Sequence, residues 1–203
     1  GKNLIAGDHA QATFNAAGFL LATATLSPVD GAADSITSGI GSDIVLGGAA
    51  NDDINVSDGR NIVFGDHGEI EFDGLGQWLN VTTIDVAIGG DDTIQTGNHN
   101  DIIFGGFAQD SLTAANGDNT VVGDNGTATF DPNGQLRTVK THSPGQGSND
   151  VIRTGIGEDL ILAGHGNDDV NASHGRNVVV GDNGHITLNP AGQWTDVGTS
   201  DST

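Results

Sequence analysis

Acidic residues recur along this chain at a nine-residue step, which is a spacing suited to cation ligands. They are Asp34, Asp43, Asp52 and Asn61, then Asp92, Asp101, Asp110 and Asn119, then Asp150, Asp159, Asp168 and Asn177. Each stands two residues before an aliphatic side chain, as Asp101 does before Ile103 and Asp110 before Leu112. The rule holds at all twelve positions once Asn is allowed in every fourth. Glycines such as Gly47-Gly48 and Gly105-Gly106 lie just ahead of the acids. Carboxylates set on Gly-rich turns, where backbone carbonyls are open, offer the hard oxygen ligands that a divalent cation takes. The formal net charge of -21, from 27 acidic and 6 basic residues, leaves room for such cations. A solvated, disordered acidic chain is the competing reading. The regularly spaced β-branched residues argue against it.

The elements that position these acids follow from the same step. Three residues, such as Ile102-Ile103-Phe104, make a short strand whose middle side chain faces one way. The next six, Gly105 to Asp110, make a turn, for which Gly supplies the positive φ angles. Two nonapeptides close one coil, and stacked coils set equivalent strands roughly 4.8 Å apart in two parallel sheets. Inward Ile, Leu and Val then form a thin continuous core. The expected fold class is all-β, a parallel β-roll or β-solenoid with a hairpin-like insertion in each long repeat.

That long repeat is 58 residues, starting at Gly7-Asp8, Gly65-Asp66, Gly123-Asp124 and Gly181-Asp182. It predicts the end of a preceding unit at 1–6, whole units at 7–64, 65–122 and 123–180, and a partial fourth at 181–203. Fixed long periods mark repeat architectures, in which function is carried per unit. A start and stop in mid-unit point to a piece of a longer array.

The stretches Gly47-Gly48-Ala49-Ala50-Asn51-Asp52-Asp53-Ile54, Gly105-Gly106-Phe107-Ala108-Gln109-Asp110-Ser111-Leu112 and Ala163-Gly164-His165-Gly166-Asn167-Asp168-Asp169-Val170 resemble GGxGxDxUx, the RTX or haemolysin-type calcium-binding repeat. The resemblance covers 36 of each 58 residues and implies a calcium-loaded parallel β-roll. Chemistry favours the same ion. Ca2+ accepts six to eight oxygens in flexible geometry, whereas Mg2+ prefers octahedral sites and keeps its waters. Turns on one edge belong to alternate nonapeptides, so Asp34 should face Asp52, Asp92 face Asp110, and Asp150 face Asp168. On the other edge Asp43 should face Asn61, Asp101 face Asn119, and Asp159 face Asn177. Asn brings an oxygen without charge, so those sites are expected to bind more weakly. Two or three sites per unit give roughly 6–9 ions, and a chain that folds when calcium arrives.

The remaining 22 residues of each unit differ. Their acid moves forward to Asp66, Asp124 and Asp182, where it could close a further site against Asp52, Asp110 and an inter-unit neighbour. Asp131-Pro132-Asn133-Gly134 and its counterparts predict a type I turn followed by a left-handed Gly, hence a hairpin. Two placements are open: a hairpin projecting from the roll, or a second strand completing a third coil. Residues flanking the inward side chain are apolar in alternate strands, as in Ile44/Leu46, Ile62/Phe64, Ile102/Phe104 and Leu160/Leu162. One sheet should therefore be apolar on both faces and need a cover. Hairpins carrying Phe19, Trp78, Leu136 and Trp194 are the expected cover, and lateral self-association with a second chain is the rival.

Other functions find little support. An acidic chain repels nucleic acid and anionic membranes, and no apolar run approaches spanning length. Its seven His occupy variable turn positions with no repeating partner. No Gly-x-Ser-x-Gly, HExxH, P-loop or EF-hand loop occurs, so no enzyme activity is expected. Thr23-Ala24-Thr25 and Thr127-Ala128-Thr129 are too isolated for an ice-binding ladder. Absent Cys suits an extracellular address. The resemblance implies a calcium-binding structural module of a large secreted or cell-surface bacterial protein, an adhesin or extracellular fibre. The alternative is the carrier region of a secreted protease, lipase or toxin.

Overall fold

The computed structural model describes residues 1–200, which form 21 strands and no helix. Two parallel sheets face each other across the roll. The first runs Leu4–Ala6, Ile44–Leu46, Ile62–Phe64, Ile102–Phe104, Thr120–Val122, Leu160–Leu162 and Val178–Val180. The second runs Ser35–Thr37, Asp53–Asn55, Thr93–Thr96, Ser111–Ala114, Val151–Thr154 and Asp169–Ala172. Every neighbour is parallel and in register by equivalent position: Val45 pairs with Val63, Val63 with Ile103, and Ile103 with Val121. Middle residues of both sheets, among them Val45, Ile54, Ile94, Ile103, Leu112 and Ile161, are buried together as the inner core. A period of two within these short strands is enough to sort them inward.

The sorting sends the flanking residues outward, and there a second core forms. Leu46, Ile62, Phe64, Ile102, Phe104, Val122, Leu160 and Leu162 leave the first sheet on its far side and meet Ile70, Val81, Ala128, Val139 and Ile186. The latter come from a third, antiparallel sheet of eight strands. It is made of four hairpins: Ala10–Phe14 with Leu20–Thr25, Gly68–Phe72 with Trp78–Thr83, Gly126–Phe130 with Leu136–Thr141, and Gly184–Leu188 with Trp194–Thr199. Successive hairpins pair with one another, Ala22–Ala24 against Glu69–Glu71 and Asn80–Thr82 against Thr127–Thr129. The hairpins thus neither project nor complete a third coil. They lie flat along the first sheet as one continuous cover. An isolated two-stranded hairpin is marginal in water, and edge-to-edge pairing over an apolar face stabilises it.

The predicted turn is present: Gly134 has φ 72°, the register shifts between Thr129 and Phe130, and Asp131 Oδ1 accepts Asn133 N and Gln135 N at 2.9 and 3.0 Å. Trp78, Leu136 and Trp194 pack against the second core as expected. Phe19 does not: it is 45% exposed, and Leu20 takes its place. Leu20 is opposite Phe14 as Trp78 is opposite Phe72, so the sequence expectation was one residue out of register in the first hairpin. Two of the six basic residues brace the cover against the roll. The guanidinium of Arg60 stands 4.1 Å from the Trp78 ring, and that of Arg176 stands 4.7 Å from Trp194.

The candidate calcium ladders

Where the first sheet turns into the second, six carboxylates form an unbroken ladder. The backbone N–H of Asp34 donates to Asp52 Oδ1 at 2.8 Å, Asp52 N to Asp92 Oδ1 at 2.7 Å, and Asp92 N to Asp110 Oδ1 at 2.8 Å. Asp110 N then donates to Asp150 Oδ1 and Asp150 N to Asp168 Oδ1, both at 2.9 Å. The expected pairs Asp34–Asp52, Asp92–Asp110 and Asp150–Asp168 are therefore adjacent. They are also joined to each other, through partners 40 residues apart, across each hairpin. The nine-residue step gives no sign of those joints, because the hairpin interrupts it.

On the opposite edge the ladder alternates. Asp43 N donates to Asn61 Oδ1, Asn61 N to Asp101 Oδ1, Asp101 N to Asn119 Oδ1, Asn119 N to Asp159 Oδ1 and Asp159 N to Asn177 Oδ1, at 2.8–3.0 Å.

In both ladders, apart from the terminal Asp34, Oδ1 accepts a backbone N–H and Oδ2 is left over. Oδ2 of Asp34, Asp52, Asp92, Asp110, Asp150 and Asp168 on the first edge, and of Asp43, Asp101 and Asp159 on the second, is buried with no hydrogen-bond partner. An unanswered buried acceptor is costly, and nine in register are not an accident of packing. On the all-Asp edge these oxygens point where glycines leave space. A Cβ on Gly47 would stand 2.5 Å from Asp52 Oδ2 and collide with Gly65 O; one on Gly105 would collide with Asp110 Oδ2 and Gly123 O. A carboxylate oxygen and a backbone carbonyl thus converge on one small space, rung after rung. Among the described residues no three acidic, His or Cys side chains cluster as a metal group. A cation held here would draw one carboxylate per rung and take its remaining ligands from the backbone, which is oxygen-only chemistry suited to calcium.

Burial is the main cause of the unusual acidity. It pushes the Asp52 carboxyl up to about 7, and Asp92 and Asp150 to about 8, with neighbouring carboxylates adding to the rise. Asp110 is raised well above the usual range, by burial first and by Asp92 and Asp150 after it. Such carboxyls are protonated in the folded chain at a pH where the unfolded chain has released its protons. In calcium-stripped buffer, stability is then present at acid pH and lost as pH rises through about 7 to 8. Circular dichroism in that buffer should show more β-sheet signal at pH 5 than at pH 8.5. Calcium needs the ionised form, so its affinity should fall over the same interval on acidification.

Asp66 and Asp124 sit beside the all-Asp ladder but use both oxygens. Asp66 accepts Gly90 N through Oδ1 at 2.9 Å and Phe107 N through Oδ2 at 2.5 Å. Asp124 accepts Ser148 N and His165 N in the same way. Each ties the chain leaving a hairpin to a turn of the roll. Burial and the neighbouring Asp92 raise Asp66 to about 9. Asp182, in the corresponding place, is exposed. One recurring position has a structural role that the nine-residue spacing does not predict. The side chain after each of these acids holds the hairpin exit: His67 Nε2 lies 3.2 Å from Pro28 O, Asn125 Nδ2 donates to Val86 O at 3.1 Å, and Asn183 Nδ2 donates to Pro144 O at 3.5 Å. The recurrence of Gly-Asp-His/Asn-Gly was the available signal.

The family model of the RTX calcium-binding nonapeptide repeat matches in four copies, at residues 30–68, 89–112, 96–129 and 144–179. The matches cover more than half of the chain and leave out most of each hairpin from Gly68–Phe72 onward. The chain belongs to this family, whose repeats bind calcium and form structural rather than catalytic domains. No curated protein and no solved structure matches it.

Proposed function

We propose that this chain is a calcium-binding structural repeat module of a large secreted or cell-surface protein, such as an adhesin or extracellular fibre, which folds and stiffens when calcium fills its ladders. The observation that carries this is the row of nine buried, unanswered Oδ2 atoms. The ligands in this reading are Asp34, Asp52, Asp92, Asp110, Asp150 and Asp168 on one edge and Asp43, Asp101 and Asp159 on the other, joined by backbone carbonyls. Asp66 and Asp124 assist by fixing the turns beside them, whereas Asp182 is exposed. Two features favour a rigid module over the carrier region of a secreted enzyme or toxin. The hairpin sheet runs along the whole described length, and its ties to the roll recur from one hairpin to the next. Lateral self-association through the first sheet is no part of the proposal, because the chain's own hairpins bury that face.

Small-angle scattering of this chain tests the coupling. In calcium the radius of gyration should lie near the value for a compact chain of this length, roughly 17 Å, and in chelator it should rise toward the unfolded value of roughly 50 Å. A compact particle of unchanged radius in chelator would remove the folding switch from the proposal.

A further inference from the structure

The two edges of the roll answer their buried carbonyls differently. Asn61 Nδ2 donates to Ser57 O at 3.0 Å and Gly59 O at 3.1 Å. Asn119 Nδ2 donates to Ala115 O and Gly117 O, both at 3.0 Å, and to Asp159 Oδ1 at 3.1 Å. Asn177 Nδ2 donates to Ala172 O at 3.0 Å. These carbonyls belong to each Asn's own turn. The orientation of the amides is fixed, since Oδ1 of each accepts a backbone N–H from the rung beside it. The NH2 group must therefore face the turn. A carboxylate has no hydrogen to offer in that direction. At the Asp rungs of the same edge, Oδ2 of Asp43, Asp101 and Asp159 is left unanswered instead.

We propose that the side-chain amides of Asn61, Asn119 and Asn177 take the place of calcium at their rungs, so that the mixed edge binds ions only at its Asp rungs while the all-Asp edge binds them throughout. An NH2 group with two polarised hydrogens gives the turn carbonyls the positive partner that a cation would give them. It does so permanently, without a carboxylate to neutralise. The charge pattern agrees. Charged rungs on the all-Asp edge follow one another at the strand spacing of roughly 4.8 Å, but on the mixed edge they are two steps apart, at roughly 10 Å, with a neutral amide between. Repulsion falls with that distance. One edge thereby depends on calcium at every rung and the other only at every second rung. The inference rests on calcium binding at the Asp rungs, and it replaces the expectation of weak calcium sites at Asn with no site at all.

Counting bound calcium at saturation by equilibrium dialysis separates the possibilities. Asn119→Asp, and independently Asn61→Asp, should each add one ion to the wild-type count. Asn119→Ala should leave the count unchanged while lowering the melting midpoint. If Asn119 is instead a calcium ligand through its oxygen, Asn119→Ala loses an ion and Asn119→Asp gains none, which overturns the inference. A wild-type chain that binds no calcium overturns the proposed function itself, a different result. Should the variants not fold, a calcium-loaded crystal of the wild type decides: an ion in contact with the turn of Asn119 refutes the inference, and an ion-free turn there supports it.

Discussion

Asp110→Asn is expected to change stability in opposite directions with and without calcium. Asp110 is 1% exposed, lies between Asp92 and Asp150 in the ladder, and has its carboxyl raised well above the ordinary range by burial and by those neighbours. In calcium-stripped buffer near pH 8, folding the wild type forces this group either to bury a charge or to take up a proton. Asn keeps the oxygen that accepts Asp92 N and has no charge, so the variant should retain more β-sheet signal than the wild type under those conditions. With calcium saturating, the sign inverts. The variant lacks a ligand where Asp110 Oδ2 converges with Gly123 O. Its calcium affinity should drop by at least about tenfold, because even the loss of a group that only supports a ligand costs 10–100-fold. A variant that is destabilised equally in both buffers would mean that Asp110 serves packing rather than the cation. Asn119→Ala should show no such reversal.

Phe104→Ala is expected to be the most damaging change away from the ladders. Phe104 is fully buried and stacked on Phe64, with ring centroids 5.1 Å apart, between the first parallel sheet and the hairpin cover. With Phe64 it is the largest fully buried side chain, and the two layers meet around it. Truncating a buried Phe costs about 3–5 kcal/mol, which for a chain of this size lowers the melting temperature by roughly 10 °C. Leu112→Ala, in the inner core, should cost about 2–5 kcal/mol but act through the roll alone. In Phe104→Ala the environment of Trp78, which packs on Phe130 at 5.5 Å, should change as the cover loosens. Trp fluorescence that is unmoved while stability falls would show that the cover does not depend on this contact.

Much of this molecule could be read from spacing alone. The nine-residue beat marks where each strand of the roll falls and which side chain turns inward, although four strands of the second sheet, such as Thr93–Thr96, run one residue past the expected three. The both-face apolarity of Ile62, Phe64, Ile102 and Phe104 announced a cover, and the turn chemistry of Asp131-Pro132-Asn133-Gly134 announced the hairpins. Pairing between the hairpins was not legible. It depends on Thr82 and Thr127, whose hydroxyls meet at 2.7 Å, and on Thr83 and Thr141, whose hydroxyls accept Gly126 N and Gly184 N. Thr in a strand carries no sign of the partner it will meet. The 40-residue joints in the ladders were hidden for the same reason: they cross the hairpins and exist only once the roll has closed. Asn61, Asn119 and Asn177 were visible as substitutions, but what their amides do depends on which way the NH2 group faces, and only the structure fixes that.

The most direct test is a calcium titration of this chain by isothermal calorimetry, with far-ultraviolet circular dichroism recorded on the same samples. Saturable uptake of several ions per chain, together with a shift from disordered to β-sheet signal that chelator reverses, is the predicted result. Full β-structure in chelator with no calcium uptake would contradict it.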